Sequence, residues 1–300
     1  MINVNCNLCG QDEWDVRFRS TLNSDTRLAV DAVRCTYTGY GHHAQIVQCR
    51  SCGHVYANPR WSAQEIIAAY QNVEDPVYAH ERAGRELTFR KHLDALENRL
   101  GQANNRSVLD VGAYIGVFVE VALASGWDAR GLEPSEWAVT AARERGLPVQ
   151  AGTLADMASE QQFDVVTMWD VIEHMYAPSE ELGKAFDVLK PGGTIVVHTM
   201  DIDSLTARLM GKRWPWLMDM HVQYFSQKTL ARMLENNGFE VVWSGAQGRY
   251  LRLGYLASRL GGLNKTLGQS AESLIQTLRM DEIAVPVNFG DLFTVYARRP

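Results

Sequence analysis

The amino-acid sequence predicts an α/β protein with a parallel sheet that helices cover on both faces, preceded by a small β-rich module. Three observations support this class. Strand-like and helix-like segments alternate from about residue 105 onward, a glycine-containing turn follows the first of these strands, and four of the five cysteines form two CxxC pairs before residue 60. Strands that alternate with helices are typical of parallel sheets.

Length and charge narrow the classes of protein to which the chain can belong. The 300 residues, 46% of them hydrophobic, suffice for one large α/β domain with an appendage. The formal net charge is −6 and the basic residues form no run, which argues against a nucleic-acid partner. There is no signal-peptide pattern and no long uninterrupted apolar stretch. We therefore expect a cytoplasmic protein without a membrane partner, and the oligomeric state stays open.

The pattern divides the chain into three parts. Residues 1–60 are rich in Cys, His and Gly and carry short alternating stretches such as "HAQIVQC", which indicate a small β module. Residues 61–104 form a helical linker. Its first helix begins after Ser62, an N-cap with Glu65 three residues later in a capping box, and its second covers roughly residues 81–100.

The third part, residues 105–300, contains the regular alternation. A helical insertion at about residues 250–280 precedes the last strand. Two interpretations of it stay open: a lid with its hinge at Gly261–Gly262, or a packed pair of helices. The strands are predicted at "SVLDV", "DARGLE", "PVQAG", "FDVVTMW", "TIVVHTM", "FEVVWSG" and "LFTVYARR".

The turn "VLDVGAYIGVF" lies where nucleotide-like ligands bind in α/β sheets. A dinucleotide loop of the GxGxxG type is excluded because two of its three glycines are missing. An acidic residue followed by GxGxG fits Asp110, Gly112 and Gly116 and departs only at Tyr114. Glu133, at the end of the next strand, can accept hydrogen bonds from both hydroxyls of a ribose.

Further segments carry a family resemblance. "FDVVTMWDVIEHMYAP", "LKPGGTIVVHT" and "HVQYFSQKTLARMLENNGF", together with "VLDVGAYIG", "GLEPS" and "AGTLAD", follow the motif order of class I S-adenosylmethionine methyltransferases, in the methyltransferase-23-like subgroup. The resemblance covers about residues 107–245 and implies a Rossmann-like sheet of seven strands with S-adenosylmethionine as cofactor. The cofactor-binding residues that it implies are Asp110, Gly112, Ala113, Tyr114, Gly116, Glu133, Pro134, Gly152, Thr153, Leu154 and Trp169.

Methyl transfer requires an aligned acceptor and, for a hydroxyl acceptor, a base that removes its proton. Histidine titrates near neutral pH and suits this role. His174 and His221 are the predicted catalytic residues, and a purely structural role for both stays open. Further candidates at the same edge of the sheet are Asp170, Glu173, His198 and Tyr224.

The two CxxC pairs predict one tetrahedral structural zinc bound by Cys6, Cys9, Cys49 and Cys52, because cytosolic thiols stay reduced. His42, His43 and His54 are alternative ligands, and Cys35 is expected to be a small buried apolar residue. "CNLCG" and "CRSCGHVYANPR" resemble the zinc ribbon that precedes some small-molecule methyltransferases.

The resemblance therefore implies a methyltransferase that acts on a small-molecule acceptor. O-methylation of a sugar, a polysaccharide precursor or a secondary metabolite is the preferred interpretation. Two alternatives remain. One is an RNA methyltransferase that uses the zinc module to contact RNA, and the other is a noncatalytic scaffold in which Tyr114 obstructs the cofactor site.

Overall fold

The computed structural model of the chain describes residues 1–23, 28–157 and 161–300. Its strands, in chain order, are β1 (Trp14–Phe18), β2 (Ile46–Cys49), β3 (Val55–Ala57), β4 (Ser107–Val111), β5 (Asp128–Glu133), β6 (Val149–Ala151), β7 (Phe163–Trp169), β8 (Leu189–Met200), β9 (Gln223–Tyr224), β10 (Glu240–Ala246), β11 (Arg249–Arg252), β12 (Ala284–Val287) and β13 (Leu292–Arg298). The α-helices are α1 (Ala63–Gln71), α2 (Pro76–His80), α3 (Arg82–Leu100), α4 (Val117–Ala124), α5 (Glu136–Glu144), α6 (Pro178–Val188), α7 (Leu205–Met210), α8 (Gln227–Asn236), α9 (Leu253–Leu263) and α10 (Lys265–Thr277).

The main sheet has seven strands in the order β10-β13-β8-β7-β4-β5-β6, which confirms the predicted Rossmann-like class. The expectation of an entirely parallel sheet was wrong at one strand, because β13 pairs antiparallel with both β10 and β8. The insertion between β10 and β13 explains this direction. Its outer strands β11 and β12 pair with each other, so the chain returns to the edge of the sheet where β10 ended.

Alternate residues of the central strands bury side chains on opposite faces of the sheet. On one face, Val108 and Val165 pack in a cluster with side chains of α3 and α4. On the other face, Leu109 and Val166 pack with side chains of α6 and α8. The sheet is therefore covered on both faces, as the sequence predicts.

The N-terminal module is an antiparallel sheet in the order β1-β2-β3-β9. Its last strand comes from the distant segment Gln223–Tyr224, which pairs with Val55 and Tyr56. The backbone N–H of Ser179 also donates to Asn7 Oδ1 at 2.8 Å, which ties the module to α6. The predicted division of the chain at residues 60 and 104 stays a prediction, but the two outer parts share a sheet.

The linker helices begin largely as the sequence predicts. The Ser62 side chain accepts from the Glu65 backbone, and the Glu65 carboxylate accepts from the Ser62 backbone at 2.8 Å, so the capping box is present. In α3, Leu93 and Leu96 are buried, whereas Leu87 is 42% exposed and does not belong to the apolar face. No helix in the described ranges is both long and apolar enough to span a bilayer.

The insertion contains a packed pair of helices, α9 and α10, which is one of the two alternatives that the sequence leaves open. Gly261 and Gly262 lie inside the last turn of α9, and the break between the helices is at Asn264. A Cβ on Gly268 of α10 would overlap the Gly261 backbone, so these two glycines allow α9 and α10 to pack closely. Gly261 therefore serves the packing of the two helices, whereas a Cβ on Gly262 would meet the Tyr40 ring. Neither glycine lies at the break between the helices.

Candidate active site

The turn after β4 requires two glycines. Gly112 has φ +72°, and a Cβ there would lie 2.6 Å from Cγ2 of Val171. Gly116 has φ +73°, and a Cβ there would lie 2.8 Å from Cδ1 of Leu147. Side chains rarely adopt this left-handed backbone, and neither position has room for a methyl group. Glycine at 112 therefore lets the turn approach the loop after β7 closely, and glycine at 116 lets it approach the segment between α5 and β6.

Glu133 lies at the end of β5 beside this turn and is buried. One carboxylate oxygen accepts from the Tyr114 backbone N–H at 2.9 Å, and the other accepts from the Ser135 backbone N–H at 2.8 Å. Burial raises the pKa of Glu133 to about 7. Each oxygen keeps a further lone pair, so the carboxylate can still accept from ligand hydroxyls.

Tyr114 has φ +50°, an unusual value for a residue with a side chain. Its ring is buried and packs against Tyr78 at 4.5 Å and Trp137 at 5.9 Å between ring centroids. These partners belong to α2 and α5. Tyr114 is the one position at which the turn departs from the GxGxG pattern. Its side chain is therefore part of the apolar layer that covers the turn.

The remaining residues implied for the cofactor lie around the same edge. The Gly152 backbone N–H donates to the Glu133 carbonyl at 3.0 Å, which brings Thr153 and the buried Leu154 beside β5. Asp110 accepts from Thr167 Oγ1 at 2.7 Å, and burial raises its pKa to about 8. Ala113 is buried within the turn and Pro134 follows Glu133 directly.

His174 and His221, the predicted catalytic pair, lie together with ring centroids 4.8 Å apart. The Nδ1–H of His174 donates to the Met220 carbonyl at 3.0 Å, and that of His221 donates to the Trp216 carbonyl at 2.7 Å. Both Nε2 atoms are therefore left as proton acceptors. Burial lowers the pKa of each ring, that of His221 to about 3, so both are neutral at pH 7.

Glu173 completes this group and is fully buried. One of its oxygens accepts from Thr199 Oγ1 at 2.9 Å, and the other has no partner in the described part of the chain. Burial, followed by the charge of Asp170, raises the pKa of Glu173 to about 8. One donor atom from each of Glu173, His174 and His221 lies within 4.8 Å of the others, so the group could also hold a divalent cation.

A cavity opens at the ends of β7 and β8. It is lined by Trp169 at the end of β7, by Asp170 directly after it, by His198 from β8, and by residues of α3 and β11. Trp169 is packed edge-on against His92, with ring centroids 4.7 Å apart. The predicted cofactor residue Trp169 therefore lies in the wall of this cavity.

Several residues of this cavity were missed by sequence reasoning, among them the polar residues Arg85, His92 and Arg249. The first two are seven residues apart on α3, so they share the helix face that turns inward. Arg249 is the first residue of β11, a strand that overlaps the start of the segment predicted to be helical, about residues 250–280. The helical spacing of Arg85 and His92, close in the chain to the apolar Leu93 and Leu96, was the only sequence pattern that could have indicated them.

The four predicted zinc ligands meet at the edge of the N-terminal sheet. The sulfur atoms of Cys6 and Cys52, and of Cys9 and Cys49, are 3.5 Å apart, and all four lie within 4.8 Å of one another. A tetrahedral zinc with Zn–S bonds of about 2.3 Å needs sulfur atoms about 3.8 Å apart. The donor set and its spacing therefore fit a structural zinc.

The alternative ligands are placed elsewhere. The Nδ1–H of His43 donates to the Ala44 carbonyl at 2.7 Å, and His54 Nε2 is paired with Gln223 Oε1 at 2.9 Å. Within the described residues, the group around the four sulfur atoms contains no histidine, including His42. Cys35 also lies outside the group. Its side chain is exposed, so the expectation of a buried Cys35 was wrong.

Comparisons with known proteins show which proteins this chain resembles. A ubiquinone biosynthesis O-methyltransferase of Bordetella avium is 29% identical over 117 residues, which are 36% of this chain and 48% of that protein. Another of the same name from Pseudomonas savastanoi pv. phaseolicola is 32% identical over 138 residues, 41% of this chain and 59% of that protein. The chain thus spans about half the length of the curated relatives it matches.

A solved structure shows the same fold at low identity. It is a chain of the complex that contains the Haloferax volcanii Trm112 methyltransferase activator, with a TM-score of 0.54, 16% identity, and coverage of 77% of this chain and 97% of that one. The family described as "Methyltransferase domain" matches residues 78–244, more than half of the 300 residues. The chain belongs to this family of methyltransferase domains, as the sequence motifs imply.

Proposed function

We infer that the protein transfers a methyl group from S-adenosylmethionine to a hydroxyl of a small molecule. The observation that carries this proposal is the buried Glu133 carboxylate beside the Gly112–Gly116 turn, at the carboxyl ends of β4 and β5. This is the edge of an α/β sheet where ligands bind, and a carboxylate there suits a ribose. The O-methyltransferase names of the relatives support a hydroxyl acceptor.

The residues implied by the resemblance fit the cofactor as a group. The turn would hold the methionine portion, Glu133 the ribose, and the Gly152–Leu154 segment the adenine. When bound, the cofactor supplies an activated methyl group. The protein's own part is to orient the acceptor, exclude water and remove a proton. The sequence predicts His174 and His221 for the removal of the proton. We propose that the zinc is structural.

Replacement of Glu133 by glutamine tests the cofactor site. We expect the Kd for S-adenosylhomocysteine to rise at least about tenfold, because a hydrogen bond to a charged acceptor is worth about 1.5–3 kcal/mol. Calorimetric titration of the zinc-loaded protein measures it, with NAD as the second ligand. Glu136→Gln is the matched control, because Glu136 is exposed in the first turn of α5. Equal affinities of wild type and Glu133→Gln, or tight binding of NAD, would contradict the proposal.

The affinity should also depend on pH. The free protein has a Glu133 pKa of about 7, raised by burial, and ribose hydroxyls donate to the ionised form. Binding therefore requires proton loss, so the affinity for S-adenosylhomocysteine should be full above about pH 7 and fall progressively below it. Titrations across this range measure the dependence. In Glu133→Gln the affinity should no longer depend on pH in this range. An unchanged pH dependence would mean that another group titrates.

A further inference from the structure

The cavity at the ends of β7 and β8 contains polar atoms that are buried and lack a hydrogen-bond partner among the described residues. Native proteins leave few such atoms, because each costs free energy unless a ligand or water pairs with it. Their concentration in one cavity therefore indicates a polar ligand. They are Nδ1 and Nε2 of His92, Nε2 of His198, Nε1 of Trp169, and the Nε atoms of Arg249 and Arg252.

Hydrogen bonds behind His198 set its tautomer. Thr294 Oγ1 lies 2.7 Å from Gln247 Oε1, which can only accept, so the threonine hydroxyl donates to it. The same Oγ1 is 2.9 Å from His198 Nδ1 and must therefore accept from it. With the Gln247 amide in this orientation, His198 carries its proton on Nδ1 and presents a bare Nε2 to the cavity.

Asp170 faces that bare nitrogen. Its Oδ1 lies 3.7 Å from His198 Nε2 and accepts from Arg249 at 3.1 Å. Asp170 has φ +56°, a strained value for a residue that is not glycine, and such strain concentrates at functional sites. An ion-paired carboxylate at this distance would stabilise an imidazolium on His198.

The surroundings distinguish His198 from His174 and His221. Burial opposes the ionisation of Asp170, but the charges of Arg249 and the nearby histidines outweigh it and lower its pKa to about 2. The carboxyl group beside His174 is Glu173, which pairs with no lysine or arginine among the described residues, whereas Asp170 pairs with Arg249 at 3.1 Å. The carboxylate that faces His198 is therefore the one with a cationic partner.

We propose that His198 is the catalytic base for a hydroxyl acceptor bound in this cavity, with Asp170 as its charged partner. This inference rests on the proposed methyltransferase function and deepens it. In the step, the acceptor hydroxyl gives its proton to Nε2 of His198 while an O–C bond forms to the methyl group. The C–S bond breaks and its electron pair stays on sulfur, which leaves S-adenosylhomocysteine and an imidazolium.

The unpartnered atoms also define the acceptor. Trp169 Nε1, Arg249 Nε and one nitrogen of a neutral His92 donate, whereas His198 Nε2 and the other His92 nitrogen accept. Hydroxyl groups can satisfy both kinds of atom. Phe89, Tyr250 and Tyr255 supply flat aromatic walls. The enclosed space is only about 30 Å³, enough for a hydroxyl group but not for a whole ring. The acceptor is therefore a compound with several hydroxyl groups whose reacting hydroxyl enters the cavity, a description that catechols and sugars share.

Nitrogen NMR of the histidine rings tests the base without an acceptor. We expect the wild type to show one signal of the Nδ1–H tautomer that is absent from the spectrum of His198→Asn. This signal should not titrate between about pH 5.5 and 8, because burial lowers the pKa of His198 to about 4. The charged and titratable groups that face the ring are His92, Asp170, Arg249 and the more distant Lys91. A proton on Nε2 of the neutral ring would overturn the proposal.

Transfer of a deuterated methyl group from S-adenosylmethionine tests the chemistry, with catechol and methyl glucoside as acceptors. At least one should give a labelled O-methyl product. His198→Asn keeps a donor for Thr294 but removes the base, so kcat should fall at least about a hundredfold. Its Kd for S-adenosylhomocysteine should stay within about threefold of wild type, a range of about 0.7 kcal/mol or less. Thr294→Val, which removes the partner of Nδ1, should lower kcat less and allow both tautomers.

The outcomes separate this inference from the function on which it rests. Failure to bind S-adenosylhomocysteine would contradict the proposed function. Binding without a labelled product from either acceptor would overturn the acceptor with several hydroxyl groups. A large loss of kcat in His174→Asn or His221→Asn, with His198→Asn unchanged, would move the base to the other pair and leave the methyltransferase function intact.

Discussion

We expect replacement of Cys49 by serine to release the proposed zinc and to unfold the N-terminal sheet. Cys49 ends β2 and is buried against Cys6, Val47 and Tyr56, in the cluster that also includes Phe225 beside α8. Structural zinc contributes about 10–16 kcal/mol of apparent binding free energy, as much as the whole stability of a typical domain. Three thiolates and a hydroxyl hold zinc far less well. We expect the melting temperature to fall by at least about 10 °C.

Metal analysis of the purified protein and thermal unfolding measure this result. Wild type should hold about one zinc ion per chain. Cys35→Ser is the matched control, because Cys35 lies outside the four-sulfur group and its loss should leave the zinc content unchanged. Wild-type protein without zinc, or Cys49→Ser with its full zinc content, would show that the four cysteines do not form a metal site.

Gly112→Ala will destabilise the protein by about 3 kcal/mol and weaken cofactor binding. The left-handed backbone costs a side chain about 1–2 kcal/mol, and forcing a methyl group into a packed site costs about 1–3 kcal/mol more. The Cβ would lie 2.6 Å from Val171 Cγ2, so the turn or the loop after β7 must move. That movement displaces the Tyr114 N–H, which donates to Glu133.

Gly146→Ala separates the two causes. Gly146 has φ +75°, nearly the value of Gly112, but a Cβ there meets nothing within 4 Å. It should cost only the backbone term of about 1–2 kcal/mol and leave the affinity for S-adenosylhomocysteine unchanged. Urea unfolding and calorimetric titration measure both variants. Equal losses of unfolding free energy in Gly112→Ala and Gly146→Ala would mean that the loop after β7 moves aside with no loss of stability.

Much of the architecture follows from local patterns. The strand "SVLDV", the strand "DARGLE" and the strand "FDVVTMW" have the bounds that the sequence predicts, because each is a short apolar run between turn residues. The capping box at Ser62 is equally local, since its two partners are three residues apart. The CxxC pairs likewise bring each pair of sulfur atoms together within one tight turn.

The direction of β13 could not be read in this way. Its residues are a regular apolar strand, and the same pattern suits a parallel or an antiparallel neighbour. The direction depends on where the insertion returns the chain, which the pairing of β11 with β12 decides. Arg249 was missed for the same reason, because β11 is a strand only through its partner.

The sequence by itself determined the family, the seven-stranded sheet, the glycine turn with Glu133 and the four-cysteine group. Each of these depends on residues that are close in the chain or on motifs in a set order. Only the tertiary structure decided which side chains share a cavity. His92, Asp170, His198, Arg249 and Thr294 come from five separate segments, and the hydrogen-bond direction at His198 depends on a strand almost a hundred residues away. The order of residues in the chain does not indicate such long-range contacts, because they form only when the whole sheet packs.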